Sequence, residues 1–139
     1  SRSGHRHNHH NILAPDFDVR ETERAYFLEG EFPGIRDRES VRLEWVDCRT
    51  LAIEAKIVRV ELENEWGGLK LAEAEGQKGA APVVREWLSE RRVGHYQRTF
   101  TFPADVEAGG VRARLGQGLL RILVPKLRER TMQAKKVEV

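Results

Sequence analysis

The chain has 139 residues, which suits one domain with one hydrophobic core. Its 24 basic and 22 acidic residues leave a net charge of only +2, which argues against a dedicated nucleic-acid-binding protein, since those usually concentrate a basic excess on one face. A single cysteine, Cys48, excludes an internal disulfide and predicts a reducing, cytoplasmic compartment; no apolar run is long enough to predict a membrane span or a secretory signal.

The N-terminal residues 1–15 are polar and rich in histidine, and they end at Ala14-Pro15. We predict that this segment is the disordered remnant of an N-terminal arm. Its histidines are of a type that binds nickel or zinc, but a solvated arm is the simpler interpretation, so no metal site is predicted. The histidines are His5, His7, His9 and His10.

From Asp16 onward, apolar residues recur at every second position in seven short segments, which is typical of half-buried strands. Gly116-Gln117-Gly118 predicts a tight hairpin turn between the last two. Repeated short strands without a long helix predict an all-β sandwich or barrel. The alternating residues are Phe17 and Val19; Tyr26 and Leu28; Val41, Leu43 and Trp45; Leu51, Ile53, Ala55 and Ile57; Tyr96, Phe100 and Phe102; Val111, Ala113 and Leu115; Leu120, Ile122 and Val124.

A glycine-rich segment, 59–82, interrupts this pattern, and a loop of such length inside a compact domain is usually functional or disordered. Within it, 69–75 could form a short helix. The following residues, 83–90, could form one more strand. Alternatively, Val58, Val60 and Leu62 could extend the preceding strand, so the sequence leaves the path of the loop open.

The chain carries no pattern typical of a catalyst. It has no phosphate-binding glycine loop, no pairing of histidine and carboxylate at ligand spacing and no nucleophile elbow. Cys48 is interpreted as a strand-end residue, since no local sequence pattern is typical of a catalytic thiol with its activating base. His95 is the only histidine outside the arm. We therefore predict no catalytic residue, no metal and no cofactor.

Arg98 occupies the apolar phase of its strand, together with Tyr96, Phe100 and Phe102. A buried charge without a partner is strongly unfavourable, so we expect a carboxylate or a neighbouring subunit beside it. The alternative is an arginine at a sheet edge that extends its guanidinium to water.

The order of motifs over residues 16–126 resembles the α-crystallin domain of small heat-shock proteins. The first matching piece is Pro33-Gly34-Ile35, which follows a strand. The second is the run from Trp87 to Pro103, in which Glu-Arg is followed by Gly, an aromatic residue, Arg, another aromatic residue and Pro. The remaining pieces are Ala104-Asp105-Val106, Val111-Arg112-Ala113 and the ending Gly118-Leu119-Leu120-Arg121-Ile122-Leu123-Val124-Pro125-Lys126. The long loop and Ala55-Lys56-Ile57, where the family often has Gly-Glu-Arg, depart from its pattern.

This resemblance implies an immunoglobulin-like sandwich of two antiparallel sheets with a long strand-bearing loop. It also implies a homodimer of the plant, fungal and bacterial kind, in which the loop strand pairs with the partner's sheet. The interface residues that the resemblance implies are Val84, Arg85, Glu86, Trp87, Leu88, Glu90 and Arg98.

The C-terminal extension, 127–139, ends in Val137-Glu138-Val139, which resembles the family's Ile-x-Ile/Val docking motif. The two valines lie on one face of an extended segment. The resemblance implies that they dock in a groove of another dimer lined by Val41, Leu43, Trp45, Val111, Ala113 and Leu115. The basic stretch before the motif is interpreted as a solvated linker rather than a nucleic-acid patch, since no aromatic residues interleave its charges.

The resemblance thus implies an ATP-independent chaperone that binds unfolding proteins, assembles from dimers into larger homo-oligomers, and binds neither nucleic acid nor membrane. Co-chaperones with a CS domain share the sandwich but lack the Gly-x-Leu…Pro-Lys ending and the tail motif. An extracellular immunoglobulin-type module usually needs two cysteines around a tryptophan, and this chain has one cysteine. A hydrolase or metalloenzyme is the least supported alternative.

Overall fold

The computed structural model describes residues 12–67 and 84–127. These divide into two compact units, a β-sandwich made of 12–57 and 94–127 and a connecting unit made of 58–67 and 84–93. The sandwich contains eight strands among the described residues: β1 (Ile12–Leu13), β2 (Phe17–Glu21), β3 (Ala25–Glu31), β4 (Val41–Asp47), β5 (Thr50–Ile57), β6 (Gly94–Thr101), β7 (Arg112–Gly116) and β8 (Leu119–Pro125).

The strands form two four-stranded sheets, and the prediction of an all-β sandwich is confirmed. The first sheet has the order β1-β6-β5-β4 and the second has the order β2-β3-β8-β7. All neighbouring strands are antiparallel except β1, which runs parallel to β6. The seven strands expected from the alternating pattern are all present.

The core lies between the sheets, because the inward phase of each strand is apolar. Aromatic residues join the two layers: the Tyr26 and Phe102 ring centroids are 4.8 Å apart, and those of Phe32 and Tyr96 are 5.9 Å apart. Contacts of this length are favourable for aromatic pairs. The largest fully buried side chains are those of Phe32, Leu28, Leu51, Ile53, Ile57 and Val124.

Two tight turns shape the ends of the sandwich. Gln117 and Gly118 both have positive φ, 57° and 78°, so the predicted tight turn of the β7–β8 hairpin is present, as a two-residue turn of type I′. In the β4–β5 turn, the Arg49 N–H donates to the Asp47 carboxylate and holds the pKa of Asp47 below its ordinary value. The Arg49 guanidinium also donates to Asp105 and to the Pro103 carbonyl, which ties this turn to the loop after β6.

The N-terminal prediction needs a correction. Residues 1–11 lie outside the described residues, but Ile12 and Leu13 form β1, opposite His95 and Tyr96 of β6. The next two residues continue toward β2, and Pro15 is buried. The segment 12–15 is therefore an ordered part of the sandwich and not a disordered arm. A strand of two residues is too short to leave a periodic pattern in the sequence.

The connecting unit also differs from expectation. The strand β5 ends at Ile57, so Val58, Val60 and Leu62 do not extend it. Instead, a short helix, α1 (Leu62–Trp66), follows. The helix expected at 69–75 lies outside the described residues.

Residues 84–93 belong to no strand of this single chain, so the strand predicted at 83–90 is not formed within one chain over its described part. A strand needs a hydrogen-bonding neighbour, and no described strand of the chain pairs with this segment. Its described contacts include an ion pair between Arg59 and Glu86, at 2.6 Å.

Candidate functional site, a groove between two edge strands

An open apolar groove runs along the edge of the sandwich where β4, the last strand of the first sheet, meets β7, the last strand of the second sheet. Sandwich edges leave side chains of both sheets accessible, because no further strand covers them. The groove encloses about 130 Å³. This volume is close to the roughly 150 Å³ of an engineered apolar cavity that binds benzene, so it suits one or two small aliphatic side chains. Its lining residues are Arg38, Val41, Leu43, Ala113, Arg114, Leu115 and Leu120.

The backbone explains why these residues meet. Alternation along β4 directs Val41 and Leu43 to the same face. On the hairpin of β7 and β8, Ala113 and Leu115 share a face, and Leu115 lies directly opposite Leu120. The apolar part of the groove is therefore formed by the apolar phases of β4, β7 and β8, so strand pairing rather than a loop fixes its position.

Four of the six groove residues expected from the sequence line this site: Val41, Leu43, Ala113 and Leu115. The other two do not belong to its lining. Trp45 lies further along β4, where its ring centroid is 6.2 Å from that of Phe102. Val111 precedes the first residue of β7. The docking motif itself, Val137 and Val139, lies outside the described residues.

The sequence did not reveal the remaining lining residues, Arg38, Arg114 and Leu120. Arg38 lies in a 3₁₀ turn immediately before β4, where no periodic pattern marks a binding face. The one feature of the sequence that could have indicated Arg38 as a lining residue is its position shortly before Val41. The two arginines give the apolar groove a positively charged rim, which favours an occupant that carries a carboxylate beside its apolar residues.

A second candidate surface lies on the connecting unit, where large apolar side chains are exposed. The side chains of Trp87, Leu88 and Val84 are 93%, 70% and 62% exposed, respectively. The expected interface residues Arg85, Glu86 and Glu90 are also exposed. A cluster of exposed apolar residues on one segment is typical of a surface that another chain covers.

Arg98, the remaining expected interface residue, lies on β6 in the sandwich and is half-buried. Its guanidinium donates a hydrogen bond of 2.8 Å to the Pro15 carbonyl. The same cation lies 4.9 Å from the ring centroid of Phe100 and 5.9 Å from that of Phe17, within cation–π range. These contacts stabilise the charge inside one chain, so the expected carboxylate is replaced by a backbone carbonyl and two rings.

No group of three or more histidine, cysteine or acidic residues in 12–67 and 84–127 is arranged to hold a metal ion, and the four histidines of the arm lie outside these ranges. Over the same ranges, no helix has the length and apolar character that crossing a membrane requires.

Comparison with known proteins agrees with the geometry. Residues 18–139 match the model of the Hsp20/alpha crystallin family. A 30 kDa heat shock protein of Emericella nidulans is 38% identical over 90% of this chain and 79% of its own length. Heat shock protein 16 of Schizosaccharomyces pombe is 31% identical over 91% of this chain and 76% of its own.

Among solved structures, heat shock protein 16.0 of Schizosaccharomyces pombe superposes with a TM-score of 0.61 at 30% identity, covering 84% of this chain and 69% of that one. The strand order, the two sheets and the motifs at 87–126 thus agree with the sequence relationship. The chain belongs to the Hsp20/alpha crystallin family of small heat-shock proteins.

Proposed function

We propose that this protein is an ATP-independent holdase, which binds unfolding proteins, keeps them from aggregating and involves no chemical step. Its family consists of chaperones and not enzymes. The observation that carries the proposal is the open apolar groove between β4 and β7, since it offers a reversible binding site for extended apolar segments.

The exposed Cys48 and the absence of a second cysteine favour a reducing compartment, so we propose a cytoplasmic location.

The groove is proposed to receive Val137 and Val139 of another subunit. Fully burying one valine contributes about 1.5–3 kcal/mol, so two contribute about 3–6 kcal/mol. Ordering the tail and losing freedom of motion costs several kcal/mol, so a single contact is weak. Many such contacts within one assembly hold through effective concentration, while each one opens readily. The rim arginines support this occupant, since Glu138 stands between the two valines.

The exposed segment 84–90 is proposed to form the homodimer, by adding a strand to an edge of the partner's sheet. The exposure of Trp87 and Leu88 supports this, because buried aromatic and aliphatic anchors provide most of the binding energy at interfaces. The absence of a strand at 84–93 in the single chain is consistent with pairing that forms only on dimerisation. Arg98 is proposed to lie near this interface while keeping its contacts within the chain.

A heat-stressed client protein provides the test. The full chain, without nucleotide, is expected to suppress light scattering by a heat-labile client enzyme in a dose-dependent manner. Client scattering that rises at the same rate with and without the full chain would overturn the holdase proposal.

Two further variants test the groove from opposite sides. V137S/V139S removes the apolar tail contacts, and Ala113→Trp fills the groove from an exposed edge position. Both are expected to reduce the assembly to smaller species by light scattering on size-exclusion chromatography, with unchanged melting temperature. Val46→Ser is the matched control, since Val46 is exposed and lies outside the groove lining. An assembly of unchanged mass in both variants would refute the docking proposal.

A further inference from the structure

The outward face of the second sheet has an unusual charge order. One row of cross-strand partners runs through all four strands: Arg114 on β7 lies opposite Arg121 on β8, which lies opposite Glu29 on β3, which lies opposite Asp18 on β2. The row therefore reads two positive and then two negative charges. These side chains point away from the core, since the residues that alternate with them on β3 and β8, such as Leu28 and Ile122, are buried.

Two of the pairs in this row are unfavourable within one chain. Like charges directly opposite each other in a sheet are destabilising, and both Arg114 with Arg121 and Asp18 with Glu29 are such pairs. Glu29 has an ion pair with Arg20, at 2.8 Å. Within the described part of the chain, Arg114, Arg121 and Asp18 have no ion pair or side-chain hydrogen bond. An external surface of opposite charge order would relieve both repulsions.

The next row supplies an apolar centre. Leu123 on β8 lies opposite Phe27 on β3, and Arg112 and Arg20 stand at the two ends of this row. Phe27 is 36% exposed although it projects from the middle of the sheet. An exposed aromatic residue surrounded by charges is typical of the centre of a protein interface.

We propose that this face binds the same face of a second copy of the chain across a twofold axis. A twofold axis superposes a row of order plus, plus, minus, minus on its own reverse, so that Arg114 and Arg121 meet Asp18 and Glu29 of the second copy twice over. About such an axis, parallel to the strands, Phe27 then meets Leu123 of the second copy. Arg112 meets Arg20 of the second copy, whose charge the ion pair with Glu29 offsets, so these two like-charge contacts are outnumbered by the four contacts between opposite charges. A second copy is favoured over an unrelated acidic partner, because this chain itself presents the matching charges in the matching order.

The size of the face predicts a weak contact. Four strands about 4.8 Å apart and about 20 Å of strand length give roughly 400 Å² per copy, about half of the ~800 Å² per partner of a standard interface. Such a contact suits the joining of units that other interfaces already hold. It does not rest on the proposed tail docking or on the holdase activity.

The charge order allows a decisive experiment. R114E/R121E makes the row uniformly negative, and D18R/E29R makes it uniformly positive. Each variant alone is expected to weaken self-association at low salt by about tenfold or more, as measured by sedimentation velocity over a concentration series. An equimolar mixture of the two is expected to recover association, because a negative row then meets a positive one.

In the V137S/V139S background, where Arg114 no longer contributes to tail docking, the combined variant D18R/E29R/R114E/R121E reverses every charge but keeps the internal order of the row, so it is expected to fold and self-associate like the V137S/V139S chain. Thermal melting of all variants identifies any variant that fails to fold. If R114E/R121E or D18R/E29R does not fold, self-association of the combined variant is the measurement that tests the proposal. If R114E/R121E self-associated as strongly as the original chain, the proposal would be overturned, and these arginines would have to bind a different partner. A mixture that fails to recover association, or a combined variant that folds but does not self-associate, would overturn it too.

Two controls separate this face from other effects. R36E/K56E gives the same change in net charge on exposed residues elsewhere, and it is expected to leave association unchanged; an equal loss there would overturn the proposal as a mere net-charge effect. Because Arg114 also lines the groove, each measurement is repeated in the V137S/V139S background, where the same differences between variants are expected. Differences that vanish in that background would assign the arginines to tail docking instead.

Discussion

Gly30, in the middle of β3, is a residue whose absent side chain matters. It lies directly opposite Phe17 of β2, and a Cβ built on Gly30 would overlap the Phe17 ring. The ring that covers this glycine also contacts Phe100, at 5.0 Å between centroids, and Phe32, at 6.0 Å. Gly30 therefore makes room for an aromatic cluster that connects the two sheets.

Gly30→Ala is expected to lower the free energy of unfolding by about 1–3 kcal/mol, because the added methyl group displaces the Phe17 ring from a packed site. Urea denaturation followed by tryptophan fluorescence measures the change. Gly109→Ala is the matched control, since a Cβ at Gly109 meets nothing within 4 Å, and it is expected to be neutral or slightly stabilising. Equal midpoints for the two variants would contradict the packing argument.

At the scale of single elements, the β7–β8 hairpin shows how a turn positions the groove. Its two strands carry Ala113, Leu115 and Leu120, and its type I′ turn places Gln117 at φ 57°, in the left-handed region that most side chains avoid. Asparagine adopts this conformation more readily than glutamine, and β-branched residues adopt it least. The turn is therefore a site where one substitution alters the stability of the groove.

Gln117→Asn is expected to raise the free energy of unfolding by a few tenths up to about 1 kcal/mol, and Gln117→Val to lower it by about 1–2 kcal/mol. Thermal melting of both variants checks the order Asn above Gln above Val. Val46→Ser is the control variant, since it replaces an exposed residue in another hairpin. If Gln117→Val had the same melting temperature as the original chain, the hairpin would have to tolerate another turn type.

The elements also show what the sequence could predict. The seven longer strands and the Gln117-Gly118 turn were predictable, because period-two alternation and turn glycines are local signals. The strand β1 and the helix α1 were missed, since two and five residues are too short to establish a period. Segment 84–90 was expected to be a strand, but strand formation depends on a neighbour that its own residues do not specify.

At the scale of the whole molecule, the groove required more than local patterns. Four of its lining residues were expected from the family resemblance, whereas Arg38, Arg114 and Leu120 could be assigned to it only once the sheets were assembled. Alternation reports which residues point inward but not which edge of one sheet lies beside which edge of the other. The charge order on the second sheet is likewise a property of strand pairing, since its four residues come from distant parts of the chain.

The connecting unit begins and ends at one point of the sandwich, because Ile57 and Gly94 are direct cross-strand partners of β5 and β6. Two residues can join such partners in a hairpin. Replacing Val58–Val93 by Asn-Gly is therefore expected to leave the sandwich folded. Closing a loop of 2 residues instead of 36 is also expected to stabilise it by about 2.5 kcal/mol.

The same replacement is expected to abolish the homodimer, because it removes the exposed segment that we propose to pair with the partner. Sedimentation equilibrium in the V137S/V139S background at high salt, where tail docking and the charged face of the second sheet do not hold copies together, measures the mass, and circular dichroism with thermal melting measures the fold. In the same background, W87S/L88S keeps the loop but removes its exposed apolar anchors, so it is expected to give monomers of unchanged stability. A shortened chain that folds and still dimerises would show that the interface lies on the sandwich itself, and Arg98 and the free edges of both sheets would then have to form it.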